Sequence, residues 1–267
     1  MTTVRDIMNY FEEFVPSSLK MEYDNVGLLV GTGDAEVTKV LVSLDITSEV
    51  IHEGLASGAQ LIVSHHPIIF SGIQSVTDLD PVGRKIIALI KNGMSAICLH
   101  TNLDFVAGGV SDALIAALGA DGEGVLEVFG ATPEGRLFGA GRIGALPGEM
   151  SFGEFLEHAA SALKAEGLRY RDAGRRVKRI GVCGGSGGEF LEKAALLGCD
   201  TYLTSDIKYD RFIAASELRI NIVDGGHYCT ENLIVPVIAD MLRGYAPELI
   251  VGISELCMDP AAFWSKM

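Results

Sequence analysis

Apolar residues recur along this chain in two rhythms. Over residues 1–16 they fall at Val4, Ile7, Met8, Phe11 and Phe14, interleaved with Asp6, Glu12 and Glu13, which is the spacing of an amphipathic helix and not of a signal peptide. Short apolar runs follow at 26–30, 39–45, 61–64 and 95–99, each closed by polar or glycine residues, and each predicts a strand. Helical patterns at 47–55, 82–91 and 109–118 accompany them, and Thr47 stands where its hydroxyl can cap free backbone amides.

The same alternation resumes late in the chain, with strands predicted at 180–183, 201–203, 221–223 and 248–252 and helices at 189–197, 211–217 and 230–242. Between the two stretches, the glycine-rich segment 119–148 carries short apolar runs at 125–129 and 137–143 and reads as an edge hairpin or a connection, followed by a helix at 152–163. The pattern predicts an α/β fold of two related alternating α/β units, 1–125 and 175–267, with a variable middle connection over 126–174. Polar residues gather just after the strands, where open parallel sheets collect their ligands, so the units are expected to pack around a shared metal cleft.

Composition narrows the function. The 267 residues are 48% hydrophobic and carry 21 Lys plus Arg against 35 Asp plus Glu, a net charge of -14. That excludes global disorder and disfavours a protein that grips phosphate backbones, while a small anionic substrate would need a local electrophile. Arg175, Arg176, Lys178 and Arg179 form one dense basic patch, read as solvated surface before a strand, with anion binding as its competing role. Five cysteines without a CxxC pair read as reduced core thiols and point to the cytoplasm; no apolar run approaches the roughly 20 residues of a membrane helix.

The chemistry lies in the histidines. His52 and His158 have no partner pattern and read as surface residues. His65 and His66 are adjacent at the end of a strand and precede Pro67. Extended backbone would send their rings to opposite sides, so both serve one cluster only if the strand turns there or if two metals take one ring each. His100 and Asp104 follow the next strand, and His227 and Glu231 stand four apart at a predicted helix start, which would put both on one face.

Imidazoles from His65, His66 and His227 with carboxylates from Asp104 and Glu231 make a donor set suited to two divalent ions, Zn, Mn or Fe. Such a pair supports metal-assisted hydrolysis, with His100 as proton carrier. The Gly-rich run 183–188 is a tight turn or an anion cradle; Lys208 is a cap-region residue or a substrate-phosphate contact; Asp24 and Asn25 bind backbone at a turn or line the cleft.

The segments Tyr23-Asp24-Asn25-Val26-Gly27-Leu28-Leu29-Val30-Gly31, Ser64-His65-His66-Pro67, His100-Thr101-Asn102-Leu103-Asp104 and Gly226-His227-Tyr228-Cys229-Thr230-Glu231, in this order, resemble the NGG-interacting-factor-three-like family. Its bacterial members are commonly labelled GTP cyclohydrolase 1 type 2 homologues. The resemblance implies a dinuclear metal centre on His65, His66, Asp104, His227 and Glu231 with His100 beside it, two related α/β halves, and a homohexamer built as a trimer of dimers. It also implies the short form of the family, without an inserted middle domain. One position departs: the family commonly has His after a Lys-Tyr or Ser-Tyr pair in the late motif, where this chain has Lys208-Tyr209-Asp210. The leading reading is a dinuclear metal-dependent hydrolase acting on a nucleotide or other phosphorylated small molecule. Its competitors are a metal-binding regulatory protein without turnover and a ring scaffold for nucleic acid.

Overall fold

The computed structural model describes residues 1–264. In chain order its elements are α1 (Val4–Phe14), β1 (Gly27–Val30), β2 (Lys39–Ser43), α2 (Ser48–Ser57), β3 (Leu61–Ser64), α3 (Pro81–Lys91), β4 (Ser95–Cys98), α4 (Thr101–Phe105), α5 (Val110–Ala117), β5 (Asp121–Ala131), β6 (Leu137–Met150), α6 (Phe152–Leu163), β7 (Arg169–Arg171), β8 (Val177–Ser186), α7 (Leu191–Leu196), β9 (Thr201–Ser205), α8 (Tyr209–Leu218), β10 (Asn221–Asp224), α9 (His227–Glu231), α10 (Ile234–Tyr245) and β11 (Ile250–Ile253). The class is α/β, in two units.

The boundaries between the units differ from those read in the sequence. The first unit is Met1–Val106 with Ile234–Met258, and the second is Ala107–Leu233 with the chain from Asp259. The segment 126–174, expected as a connection, lies in the second unit and holds most of β5, all of β6, α6 and β7. Conversely, α10 and β11 return to the first unit, where β11 pairs in parallel with β2 from Ile250 opposite Lys39 to Ile253 opposite Val42. Strand partners so far apart in sequence leave no local trace of their pairing, which is why the return was not visible.

The sheet of the first unit runs β1-β4-β3-β2-β11, with β1 antiparallel to β4 and the others parallel. Every residue of β3 and β4 is buried. Strands covered on both faces read as continuous apolar runs, which is the form these segments have. Ile7 and Phe11 of α1 and Leu89 of α3 join Leu61 and Ile62 in the buried set. Local signals set the helix starts. The Thr3 hydroxyl accepts from the Asp6 amide while the Asp6 carboxylate accepts from the Thr3 amide, and Asp80 caps α3 ahead of Pro81.

The second unit has the order β5-β6-β8-β9-β10-β7, in which β8, β9 and β10 are parallel and the remaining pairs antiparallel. Alternate residues serve its two faces: Leu203 and Val223 pack with Leu114 and Phe155, whereas Tyr202 and Ile222 pack with Leu191 and Ala215. β5 and β6 form the edge hairpin. The helix predicted over 230–242 is two helices, α9 and α10, interrupted at Asn232 and Leu233.

The basic patch is matched within this unit. Arg176 pairs with Glu149 at 2.7 Å and Arg179 with Glu123 at 2.6 Å; Lys178 donates to the Leu146 carbonyl and Arg175 to the Arg219 carbonyl. Each of the four side chains thus has a carboxylate or carbonyl partner within the unit. Among the described residues no helix is long and apolar enough to cross a membrane, and the five cysteines are thiols, not disulfides.

Candidate metal centre

Parallel register brings the first group of donors together. Ser43 of β2 lies opposite Ser64 of β3, which lies opposite Cys98 of β4, so the three strands end level. Asp45, His66 and His100 each stand two residues beyond that line. The ladder continues a step past the strands: the His66 amide donates to the Leu44 carbonyl at 2.8 Å and the Leu99 amide to the Ser64 carbonyl at 2.9 Å.

At the histidine pair the backbone leaves its extended course, and the Ser64 hydroxyl donates to the His66 carbonyl at 2.8 Å across the bend. Both rings therefore reach the same place, with centroids 5.1 Å apart. The His100 ring joins them at 5.3 Å from His65 and 5.7 Å from His66. Each of the three rings offers a nitrogen lying within 4.8 Å of those of the other two. His100 stands at the N-terminal boundary of the short helix α4, and Asp104 follows one turn on, its Oδ1 3.7 Å from Nε2 of the fully buried His65.

Every one of these rings is held by Nδ1. His65 Nδ1 lies 2.8 Å from the Leu99 carbonyl, His66 Nδ1 2.8 Å from Asp45 Oδ1, and His100 Nδ1 2.7 Å from Asp24 Oδ1. A carbonyl or carboxylate oxygen accepts only, so Nδ1 carries the proton and the lone pair of the neutral ring sits on Nε2. That is the arrangement by which proteins orient imidazoles toward a metal.

Asp24 is the most committed of the anchors. Its Oδ2 accepts from the Thr101 amide at 3.0 Å and the Thr101 hydroxyl at 2.5 Å, while Oδ1 accepts from His100 and from the Asn25 amide. Burial by itself would raise this carboxyl, but the bonds from His100 and Thr101 hold it well below the usual carboxylate range. With both oxygens engaged, Asp24 orients His100 and ties the backbone at Asn25 and Thr101. Asn25 likewise binds backbone, its Nδ2 donating to the Ile69 carbonyl at 2.7 Å.

The second unit repeats the device. Thr204 lies opposite Asp224 in the β9–β10 register, and the Gly225 amide donates to the Thr204 carbonyl at 2.8 Å. Asp206, two residues beyond Thr204, thereby meets the start of α9, and its Oδ2 lies 2.6 Å from His227 Nδ1. Asp206 takes a left-handed backbone with φ of 52° to do so. One helical turn along α9, Glu231 brings Oε2 to 3.0 Å from His227 Nε2.

The glycine-rich run 183–188 is the seat of this pair. A β-carbon on Gly185, whose φ is +64°, would lie 2.0 Å from Glu231 Oε1. Its amides are used internally: Gly184 donates to Ser111 Oγ, Gly185 to Thr230 Oγ1 and Gly187 to Thr204 Oγ1. These three donors are therefore not the anion cradle considered from the sequence. Lys208 is exposed at the cap position of α8. His158, also exposed, places Nε2 2.9 Å from the Leu118 carbonyl at the end of α5.

Sequence reasoning missed the anchors Asp45 and Asp206. The available signal was position: each is an aspartate just past a strand whose parallel neighbour ends in histidine or leads into it. The donors present suit borderline divalent ions, since oriented imidazole and carboxylate are common ligands of Zn, Mn and Fe.

A curated Clostridium perfringens protein named GTP cyclohydrolase 1 type 2 homolog is 38% identical over 85% of this chain and 86% of its own length. Its Clostridium acetobutylicum namesake is 33% identical over 97% of this chain and 98% of its own. A crystal structure of a Bacillus cereus protein related to NIF3 superposes with a TM-score of 0.92 at 25% identity, covering 99% of each chain. The model of the Duf34/NIF3 (NGG1p interacting factor 3) family matches residues 2–260, and the chain belongs to that family.

Proposed function

We infer that His65, His66 and Asp104 of the first unit and His227 and Glu231 of the second together hold two divalent metal ions, and that the protein is a metal-dependent hydrolase of a small phosphorylated molecule. The observation that carries the reading is the anchoring of each imidazole through Nδ1, which aims Nε2 at a ligand in both units independently. Two bound ions would supply an activated water and polarise a phosphoryl oxygen, an electrophile that a chain of net charge -14 otherwise lacks for an anionic substrate.

The chain's own residues have separate tasks in this reading. Asp45 and Asp206 hold His66 and His227 in place, and Leu99 does so for His65. His100, anchored to Asp24, accepts a proton at Nε2 and returns it to the leaving oxygen, while the carboxylate of Asp24 stabilises the imidazolium formed between the two transfers. The same reading brings with it a cytoplasmic setting, compatible with five cysteines outside disulfides, and a homohexamer assembled as a trimer of dimers.

The test is metal analysis joined to a hydrolysis screen against nucleotides and phosphoesters. Turnover by metal-loaded protein that disappears in His65→Ala and Glu231→Ala, with both variants folded, is the expected result. Metal retained without turnover of any phosphoester transfers the same site to a non-catalytic regulatory role.

A further inference from the structure

Three successive residues of the first unit, Tyr23, Asp24 and Asn25, make separate contacts with Phe70, His100 and the Ile69 carbonyl. Asp24 holds His100 through Nδ1 at 2.7 Å, and Asn25 holds the loop after the histidine pair through the Ile69 carbonyl at 2.7 Å. Tyr23 meets Phe70, the next residue of that loop, edge to face with centroids 6.2 Å apart. Phe70 in turn stands edge to face with His100 at 6.0 Å. Lys20 fixes the segment from behind, its Nζ donating to the Asp24 carbonyl at 2.7 Å.

The two aromatic rings are nonetheless exposed, Tyr23 at 65% and Phe70 at 49%. Core packing does not explain them, because rings placed for burial would be covered. Hydrogen bonds hold Met21 and Asp24 on either side of Tyr23 and the Ile69 carbonyl beside Phe70, and Phe70 stands against His100, so this aromatic surface forms at little further ordering cost. A preordered aromatic surface next to the proton carrier suits a planar ring, which it binds by stacking and without charge. Charge-free recognition matters in an acidic chain, where the phosphate end of a substrate depends on an electrophile and the remainder needs another handle.

We propose that Tyr23 and Phe70 form a stacking platform that selects phosphorylated substrates carrying a planar heteroaromatic ring, the chemistry of a nucleotide base, over phosphorylated sugars that lack one. This deepens the hydrolase reading and rests on it for the phosphate end, but the ring preference is measured separately.

The experiment is calorimetric titration of metal-loaded protein with adenosine and guanosine 5′-monophosphate and with ribose 5-phosphate. It is run on wild type, on the double variant Tyr23→Leu/Phe70→Leu and on the conservative Phe70→Tyr, with metal content and oligomeric state measured on each. Wild type is expected to bind the nucleotides about tenfold more tightly than ribose 5-phosphate, the typical scale of one base stacked on an aromatic ring. The double variant is expected to lose that preference at unchanged metal content and ribose 5-phosphate affinity, and Phe70→Tyr to keep it. Equal affinity of wild type for all three compounds, a preference that survives in the double variant, or a double variant altered only in its oligomeric state overturns the platform. Absence of metal, or of ribose 5-phosphate binding, bears instead on the hydrolase reading.

Discussion

The Cα of Gly185 lies against the carboxylate of Glu231 so closely that a β-carbon there would fall 2.0 Å from Oε1. Glycine also permits the φ of +64° at this position, where an L-residue is strained. Gly185→Ala is therefore expected to displace Glu231 from its proposed ligand position. The left-handed backbone alone costs an alanine about 1–2 kcal/mol, so a folded protein with a lowered melting temperature is expected. Elemental analysis should show loss of metal relative to wild type; full retention would mean that Glu231 is not a ligand.

The two aspartates that anchor His66 and His227 are the next point of test. Asp45→Asn and Asp206→Asn keep the size of the side chain and remove the charge that favours a proton on Nδ1. Each is expected to lower metal affinity by about 10- to 100-fold, the usual effect of removing a residue that orients a metal-bound imidazole. Global stability should move by less than about 1 kcal/mol, since both carboxylates are substantially exposed and such pairs add little to folding. Chelator competition measures the affinity and urea denaturation the stability.

Asp24 gives a pH dependence. Its carboxyl is lowered from a reference value of 3.8, so the stability it contributes is complete above the unfolded value and declines as pH falls from there toward the lower folded value. Asp24→Asn removes charge-assisted hydrogen bonds to His100 and Thr101 and is expected to cost about 2 kcal/mol at pH 7. The difference between wild type and variant should then shrink as the pH is taken below 4. Denaturation at pH 7, 5 and 3 checks the sign: a difference that grows toward acid would contradict the assignment. Metal content at pH 7 should be unchanged, because Asp24 holds the proton carrier and not a proposed ligand.

How much of this was legible in the sequence depends on whether the relevant signal is local. The strand runs at 26–30, 61–64 and 95–99 and the capped helices were readable because apolar periodicity and caps act within a few residues. His65 and His66 stood out as a pair, yet the bend that lets both rings converge is made by the Ser64 hydroxyl on the His66 carbonyl, and no spacing rule announces it. The roles of Asp45 and Asp206 depend on which strands are neighbours and in what register, a property of the sheet. Asp24 and His100 lie far apart in the chain, and the sequence left Asp24 with two readings that only its bonds to His100 and Thr101 separate. The basic run 175–179 looked like free charge, but its carboxylate partners Glu123 and Glu149 come from elements outside the run. The pairing of β11 with β2 escapes a local reading for the same reason, since the two strands meet from opposite ends of the chain.

The central claim is that donors from residues near 65, 104 and 230 share one pair of ions. Anomalous diffraction from crystals of metal-loaded protein, collected at the absorption edge of the bound metal, tests it most directly. Two peaks per chain about 3.5–4 Å apart, in contact with His65, His66, Asp104, His227 and Glu231, are predicted. No peak at these side chains, or ions bound by one unit's donors alone, would contradict it.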